Sequence, residues 1–218
     1  MIVPRVRTPL SELELATALL EGHVRAFGEA PDPDRLGCAW AQCALEHARG
    51  RAIDCNNIGN VTAGSRWAGD VYELRVSERV KRDPDVWKTL TLRFRSHPDP
   101  VAGAADYWGL LARSFASVLV LFDARAMGPA AHRLSELGYY TALAGPYASA
   151  CVELLGHYER SIAPRLALAE PLTEGERAAI AETVDRVARM ADDARAGVDG
   201  MLAFDRAWPR GHGAPPLP

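Results

Sequence analysis

Apolar and polar positions recur along this 218-residue chain with two periods, and the switch between them lays out the expected elements. Near the start the spacing is helical. Leu13, Ala16, Leu20, Val24 and Phe27 fall on one stripe, and Leu36, Ala39, Trp40 and Cys43 on a second. Thr8-Pro9 and Asp32-Pro33 each set a helix-capping residue beside a proline suited to the first helical position, and Asp99-Pro100 repeats the signal. Gly128-Pro129 and Gly145-Pro146 are weaker versions of it. Between residues 61 and 95 the period drops to two. Tyr72, Leu74, Val76, Glu78 and Val80 share one face, while Val71, Glu73, Arg75, Ser77 and Arg79 share the other. Beyond the turn KRDPD, Leu90, Leu92 and Phe94 line up in the same way, which predicts a β-hairpin inserted in an α-rich chain.

Helical spacing returns at Pro100. The run VAGAADYWGLLARSFASVLVLF predicts one long helix, and PAAHRLSELG a shorter one ending at Gly138. GPYASACVELLGHYERSI makes another, which Pro164 stops. Residues 1–163 thus form the main domain and 164–172 a connector. Thr173 and Glu176 have capping-box spacing and open a last helix over 173–208, before a flexible Pro/Gly-rich tail over 209–218. The stripe Ile180, Val184, Val187 and Ala191 needs a surface to cover. It either packs on the core or docks a protein partner.

Composition excludes some classes. The net charge of −3 lacks the basic excess of a nucleic-acid-binding chain. No apolar run reaches the ~18 residues of a membrane span. Pro4, Arg5 and Arg7 interrupt the start, so the expectation is synthesis in the cytoplasm without a signal peptide. Cys38, Cys43, Cys55 and Cys151 show no C-x-x-C spacing, and the six histidines form no metal-ligating pair. Neither a metal nor another cofactor is expected. The thiols read as buried and free, with Cys55 the one placed to line a site. Phosphate-loop and nucleophile-elbow motifs are absent.

The candidate chemistry lies in carboxylates. On a helix Glu46 neighbours Cys43, Gln42 and Ala39, all small or uncharged. Desolvation there raises a carboxyl pKa, and a rise of about two units, roughly 2.7 kcal/mol, leaves an acid able to donate a proton near neutrality. The alternative is a solvated helix-end glutamate paired with Arg49 or Arg51. On the hairpin, Glu73 shares its face with Arg75 and Ser77 and reads as solvated, whereas Glu78 stands on the apolar face. It either sits at a frayed strand end or points into a site. Asn56 and Asn57 offer donors and acceptors in the loop after the Glu46 helix. Tyr139, Tyr140 and Tyr147 cluster after a helix-ending glycine, where they suit either a core or a sugar-stacking surface.

The order AQCALEHARG, NNIGNV, an alternating hairpin, LRFRSHPDPVAGAADYWGLL and LGYYTALAGPYASACVELL resembles the bacterial endo-β-N-acetylglucosaminidase family of peptidoglycan hydrolases, over about residues 10–158. Ala44-Leu45-Glu46 and Gly50 match the family's A-L-E-[ST]-[GA]-x-G pattern, whose glutamate is the catalytic acid. Arg49 replaces an aromatic there, and His47 a Ser or Thr. Phe94-Arg95 match the segment after the second acid, with His97 in place of an aromatic; by position this favours Glu78, with Glu73 as fallback. Gly138-Tyr139-Tyr140-Thr141 and Tyr147-Ala148 match G-Y-A-T-D-P-x-Y-A, with Ala142 where the family has Asp.

The resemblance implies an α+β, mostly α, lysozyme-like helical domain with a small hairpin lobe and an added C-terminal helix. It implies a glycoside hydrolase acting on the peptidoglycan glycan strand. Glu46 would be the acid, Glu78 the activator of water or Tyr139 the support of the substrate's own acetamido group, and Asn56, Asn57, Tyr147 and Glu73 the substrate contacts. The departures at Arg49, His97 and Ala142 equally fit a glycan-binding module that has lost catalysis. The final helix fits a part of a phage tail or injection apparatus, which would also supply the export route to the cell wall.

Overall fold

The computed structural model describes residues 1–65, 67–81 and 86–168, with the backbone alone for 77–81 and 86–87. The expected last helix and tail, over 173–208 and 209–218, lie outside the described residues, as does most of the hairpin turn. The element order is α1 (Glu12–Phe27), α2 (Pro33–Glu46), β1 (Val71–Lys81), β2 (Val86–Arg95), α3 (Pro100–Ser114), α4 (Ala116–Asp123), α5 (Met127–Glu136), α6 (Ala144–His157), a π-helical turn (Tyr158–Ile162) and α7 (Ala163–Leu168). This is an α+β fold, mostly helical, with one two-stranded antiparallel sheet among the described residues.

The core is organised on α2. Asp32 caps it by accepting from the Asp34 N–H, and Pro33 opens it, as the sequence predicts. Every residue from Leu36 to Ala44 is buried. The side chains at Gly37, Cys38, Ala39, Ala41, Cys43 and Ala44 are small, so neighbours close in on all sides. Trp40 is the one large filler; its ring packs on Tyr158 and its Nε1–H donates to the Glu12 carbonyl over 3.0 Å.

Three helical expectations need correction. α1 begins at Ser11, which forms a reciprocal capping box with Glu14, and not at Thr8-Pro9. The Thr8 hydroxyl accepts instead from the Asn56 N–H. The stripe is also rotated: Leu15, Leu19, Gly22 and His23 are buried, while Val24 and Phe27 are 43% and 40% exposed. α3 crosses so closely that a Cβ at Gly22 would lie 2.5 Å from that of Ala104. Second, the long helix after Pro100 is two, broken at Phe115 with a 106° bend. The break turns the Phe115 ring edge-on to Tyr139 and lets α4 bury Val118 and Phe122. Third, Pro164 does not stop the chain. The π-turn before it gives the Ala163 N–H a partner at the Tyr158 carbonyl, and Pro164 falls in the first turn of α7, where a proline needs no donor. No single helix among the described residues is long and apolar enough to cross a membrane.

The hairpin follows the alternation read from the sequence. Tyr72 pairs with Phe94, Leu74 with Leu92 and Val76 with Leu90. Tyr72 and Phe94 stack at 5.6 Å over the buried Cys55. Residues on both sides brace its base: Ile2 bridges to Val71 and Thr62 to Phe94. A two-stranded ribbon is marginal alone, and these additions anchor it beside the helices.

Candidate active site

Glu46 ends α2, where the helix stops because His47 leaves helical geometry. Its carboxyl is half-buried and faces protein on its inner side. Tyr147, on α6, donates its hydroxyl to Oε1 at 2.7 Å, and Asn60 donates its amide to Oε2 at 3.3 Å. The cationic partners open in the sequence are engaged elsewhere. Arg49 pairs with Glu12 at 3.2 Å, and Arg51 donates to the Ala48 carbonyl. Burial therefore raises the Glu46 pKa above the usual carboxylate value, against the pull of the two hydrogen bonds.

Behind Tyr147 a buried chain of polar groups fixes the phenol. The Gln42 amide donates to the Tyr147 oxygen over 3.4 Å, and the Tyr107 hydroxyl donates to the Gln42 carbonyl oxygen. Tyr140 stacks flat on Tyr147 at 3.7 Å. Burial, together with the nearby Glu46 charge, pushes the Tyr147 phenol far up, so it remains a donor throughout the accessible pH range.

The loop over residues 47–60 delivers Asn60. Five of its non-glycine residues, Ala48, Arg49, Cys55, Asn56 and Asn60, have positive φ. Such conformations cost of order 1 kcal/mol or more each and persist only where surroundings over-determine them. Here they do. Asp54 holds Arg5 at 2.8 Å and Arg7 at 3.3 Å. Asn57 exchanges both amide hydrogen bonds with Val61. Gly59 is gripped on both sides: its N–H donates to His47 Nε2 at 3.1 Å and its carbonyl accepts from the Tyr139 hydroxyl at 2.6 Å. At φ +92° against the Tyr107 ring, that position admits no side chain. Burial lowers the His47 pKa to about 4, which keeps the ring neutral and Nε2 free to accept.

Glu46 lies where two lobes of a groove meet, sharing Asn60, Thr62, Gly138 and Tyr139. One lobe, of about 310 Å³, continues past Phe115 and Leu110 to Arg95. The other, of about 510 Å³, is walled by Leu74, Val76, Leu92 and Phe94 of the hairpin and by Tyr140, Ala142 and Tyr147.

The expected site residues divide accordingly. Glu46, Tyr139 and Tyr147 come together at the groove. Tyr147 donates its hydroxyl to the carboxyl, and Tyr139 donates its hydroxyl to the Gly59 carbonyl. Asn56 and Asn57 do not line the groove. The Asn56 amide is spent on the His97 carbonyl and Asn57 is wholly buried, so both are scaffold. Cys55 is likewise buried behind the hairpin, with Sγ accepting from the Val6 N–H. Glu73 is exposed and pairs across the strands with Arg93 at 3.1 Å, on the face away from the groove. Residue 78 is in register with Lys88 and continues the alternation of Leu74 and Val76; its side chain lies outside the described residues. Asn60, Gln42, Tyr107 and His47 were not singled out by the sequence. For Gln42 the signal was present, one turn before Glu46 on the same face.

No protein-family model and no curated protein matches the chain. Solved structures do. A peptidoglycan hydrolase mutant from Sphingomonas sp. A1 is 26% identical over 66% of this chain and 92% of that one, with a TM-score of 0.51. The chain has the fold of the peptidoglycan hydrolases. The catalytic domain of the autolysin Auto from Listeria monocytogenes matches at 18% identity and a TM-score of 0.50, over 71% of this chain and 88% of that one. The glycoside hydrolase domain of FlgJ from Salmonella typhimurium matches 85% of this chain and 99% of its own at 19% identity, with a TM-score of 0.46. The family resemblance carried by the ordered sequence motifs is thus seen again in the fold.

Proposed function

We propose that the protein is a glycoside hydrolase that cuts β-1,4 links of the peptidoglycan glycan strand, on the N-acetylglucosaminidase pattern. The observation that carries this reading is the Glu46 carboxyl: half-buried at the junction of an open groove, held by Tyr147 and Asn60, and free of any cationic partner among the described residues. An acid so placed retains its proton to higher pH than a surface glutamate, and a positioned proton donor is what the departing sugar oxygen requires. The 26% identity to a hydrolase named for peptidoglycan supports the substrate class.

In this mechanism Glu46 protonates the glycosidic oxygen while Tyr147 and Asn60 hold the carboxyl in one orientation. As the proton leaves, the same two donors stabilise the forming carboxylate. The aromatic and apolar hairpin lobe takes the flat faces of the sugar rings. Glu78 is the candidate for activating water, by its position on the strand that walls the groove.

Mass spectrometry of peptidoglycan digested by the wild type and by Glu46→Gln tests the reading. New reducing ends at N-acetylglucosamine, lost in the variant, are expected. Reducing ends at N-acetylmuramic acid would reassign the bond. Sacculi bound but uncut by the wild type would leave a glycan-binding module instead.

A further inference from the structure

Past Arg95 the groove opens into a third lobe of about 760 Å³, the scale of a small-molecule site, which shares Gly64, Arg95 and Leu110 with the lobe at Glu46. Its character differs from the hairpin end. Arg95 lies with its guanidinium 4.5 Å above the Trp67 ring and pairs with Asp106 at 2.6 Å, which cancels that carboxylate's charge. His97 Nε2 stands 3.4 Å from the other Asp106 oxygen, and neither of these buried atoms makes a hydrogen bond. On the rim, Arg113 is exposed and pairs with no carboxylate among the described residues. Ser65 and Ser114 line the same lobe. With Arg95 and Asp106 offsetting one another, Arg113 leaves the lobe with one uncompensated positive charge. Arg113 stands in the last turn of α3, where the helix dipole favours a cation.

We propose that this lobe is a carboxylate-recognition subsite, anchored by Arg113, for the acidic peptide that the glycan strand carries on alternate sugars. The proposal rests on the hydrolase reading for the course of the strand along the groove. While the lactyl carboxyls of the strand are tied up in amide bonds to the peptide, the sugars carry no charge and make no use of a lone guanidinium, whereas a peptide carboxylate can accept two parallel N–H bonds from it. The strand would thus be read at two places: sugar rings by the hairpin lobe, and a peptide carboxylate two lobes away.

The test measures binding by calorimetry to the full-length Glu46→Gln protein. The ligands are soluble glycan chains bearing their tetrapeptides and the same chains with the peptide carboxylates capped as methylamides. Chains with free peptide carboxylates are expected to bind about fivefold tighter at low salt, as suits one exposed ion pair, with the preference fading at high salt. Arg113→Ala brings the ratio of the two affinities to one, and Arg113→Lys restores part of it. Equal affinities for the two chains, binding of neither, or a ratio that survives Arg113→Ala would overturn the subsite. Hydrolysis of the peptide-bearing chains with free carboxylates by the wild type is followed separately. No cleavage with the ratio intact removes the hydrolase reading and leaves the subsite; cleavage with a ratio of one removes the subsite alone.

Discussion

Replacing Tyr147 by Phe removes one oxygen and keeps the ring that stacks on Tyr140. The lost hydroxyl donates to Glu46 Oε1 at 2.7 Å, a bond that favours the carboxylate over the acid. Two consequences follow with defined signs. The Glu46 pKa rises further, so the limb of the kcat/KM profile on which the acid must stay protonated moves to higher pH. Stability falls by an amount that depends on pH. Below the Glu46 titration the bond joins neutral groups and its loss costs about 1 kcal/mol; above it the acceptor is charged and the cost is about 2 kcal/mol. The Gln42 amide, 3.4 Å from the missing oxygen, contributes little in either range. Urea unfolding of wild type and variant on both sides of the titration reads the difference directly. An equal loss at the two pH values, or an alkaline limb that stays in place or moves down, would refute the assignment of Tyr147 as the donor that tunes the acid.

Glu46→Gln is expected to lower kcat by about 10²–10⁴-fold with glycan binding retained, as measured by release of reducing ends and by sacculus pull-down. His47 carries a folded pKa of about 4 against an ordinary 6.5, so its charging opposes folding. That contribution is complete above pH 6.5 and is lost as the pH falls through 6.5 towards 4, up to about 3 kcal/mol; His47→Gln, which keeps an acceptor for Gly59, should flatten this acid limb in denaturant titrations. Gly59→Ala combines φ +92° with overlap of the Tyr107 ring and should destabilise by more than about 2 kcal/mol, visible as a lowered melting temperature.

The parts of this molecule set by local periodicity were legible in the sequence. The alternation around residues 71–95 gave the hairpin and its facing residues, and Asp32-Pro33 and Asp99-Pro100 gave two helix starts. Glu46 drew notice for helical neighbours that are small or uncharged, and the resemblance of Ala44-Leu45-Glu46 to the family motif is what singled it out from a solvated helix-end glutamate. The rest depends on pairings across long separations. Tyr147 lies 101 residues from Glu46 in sequence and Tyr107 lies 65 from Gln42, and no local pattern encodes either meeting. Asn60 was passed over for Asn56 and Asn57 because composition marks all three alike, and only the loop's positive-φ turns decide which amide reaches the groove. The helix break at Phe115 was hidden by an unbroken apolar run, since the gain from leaving the helix is a contact with Tyr139, far along the chain.

One residue, Gly59, joins three stretches of chain: the end of α2 through His47, the loop itself, and the segment after α5 through Tyr139. The surroundings of the acid are completed only by residues translated long after it. A nascent chain that has not yet reached Tyr147 lacks the phenol that donates to Glu46 Oε1, so the setting of this carboxyl is complete only when α6 has packed beside α2.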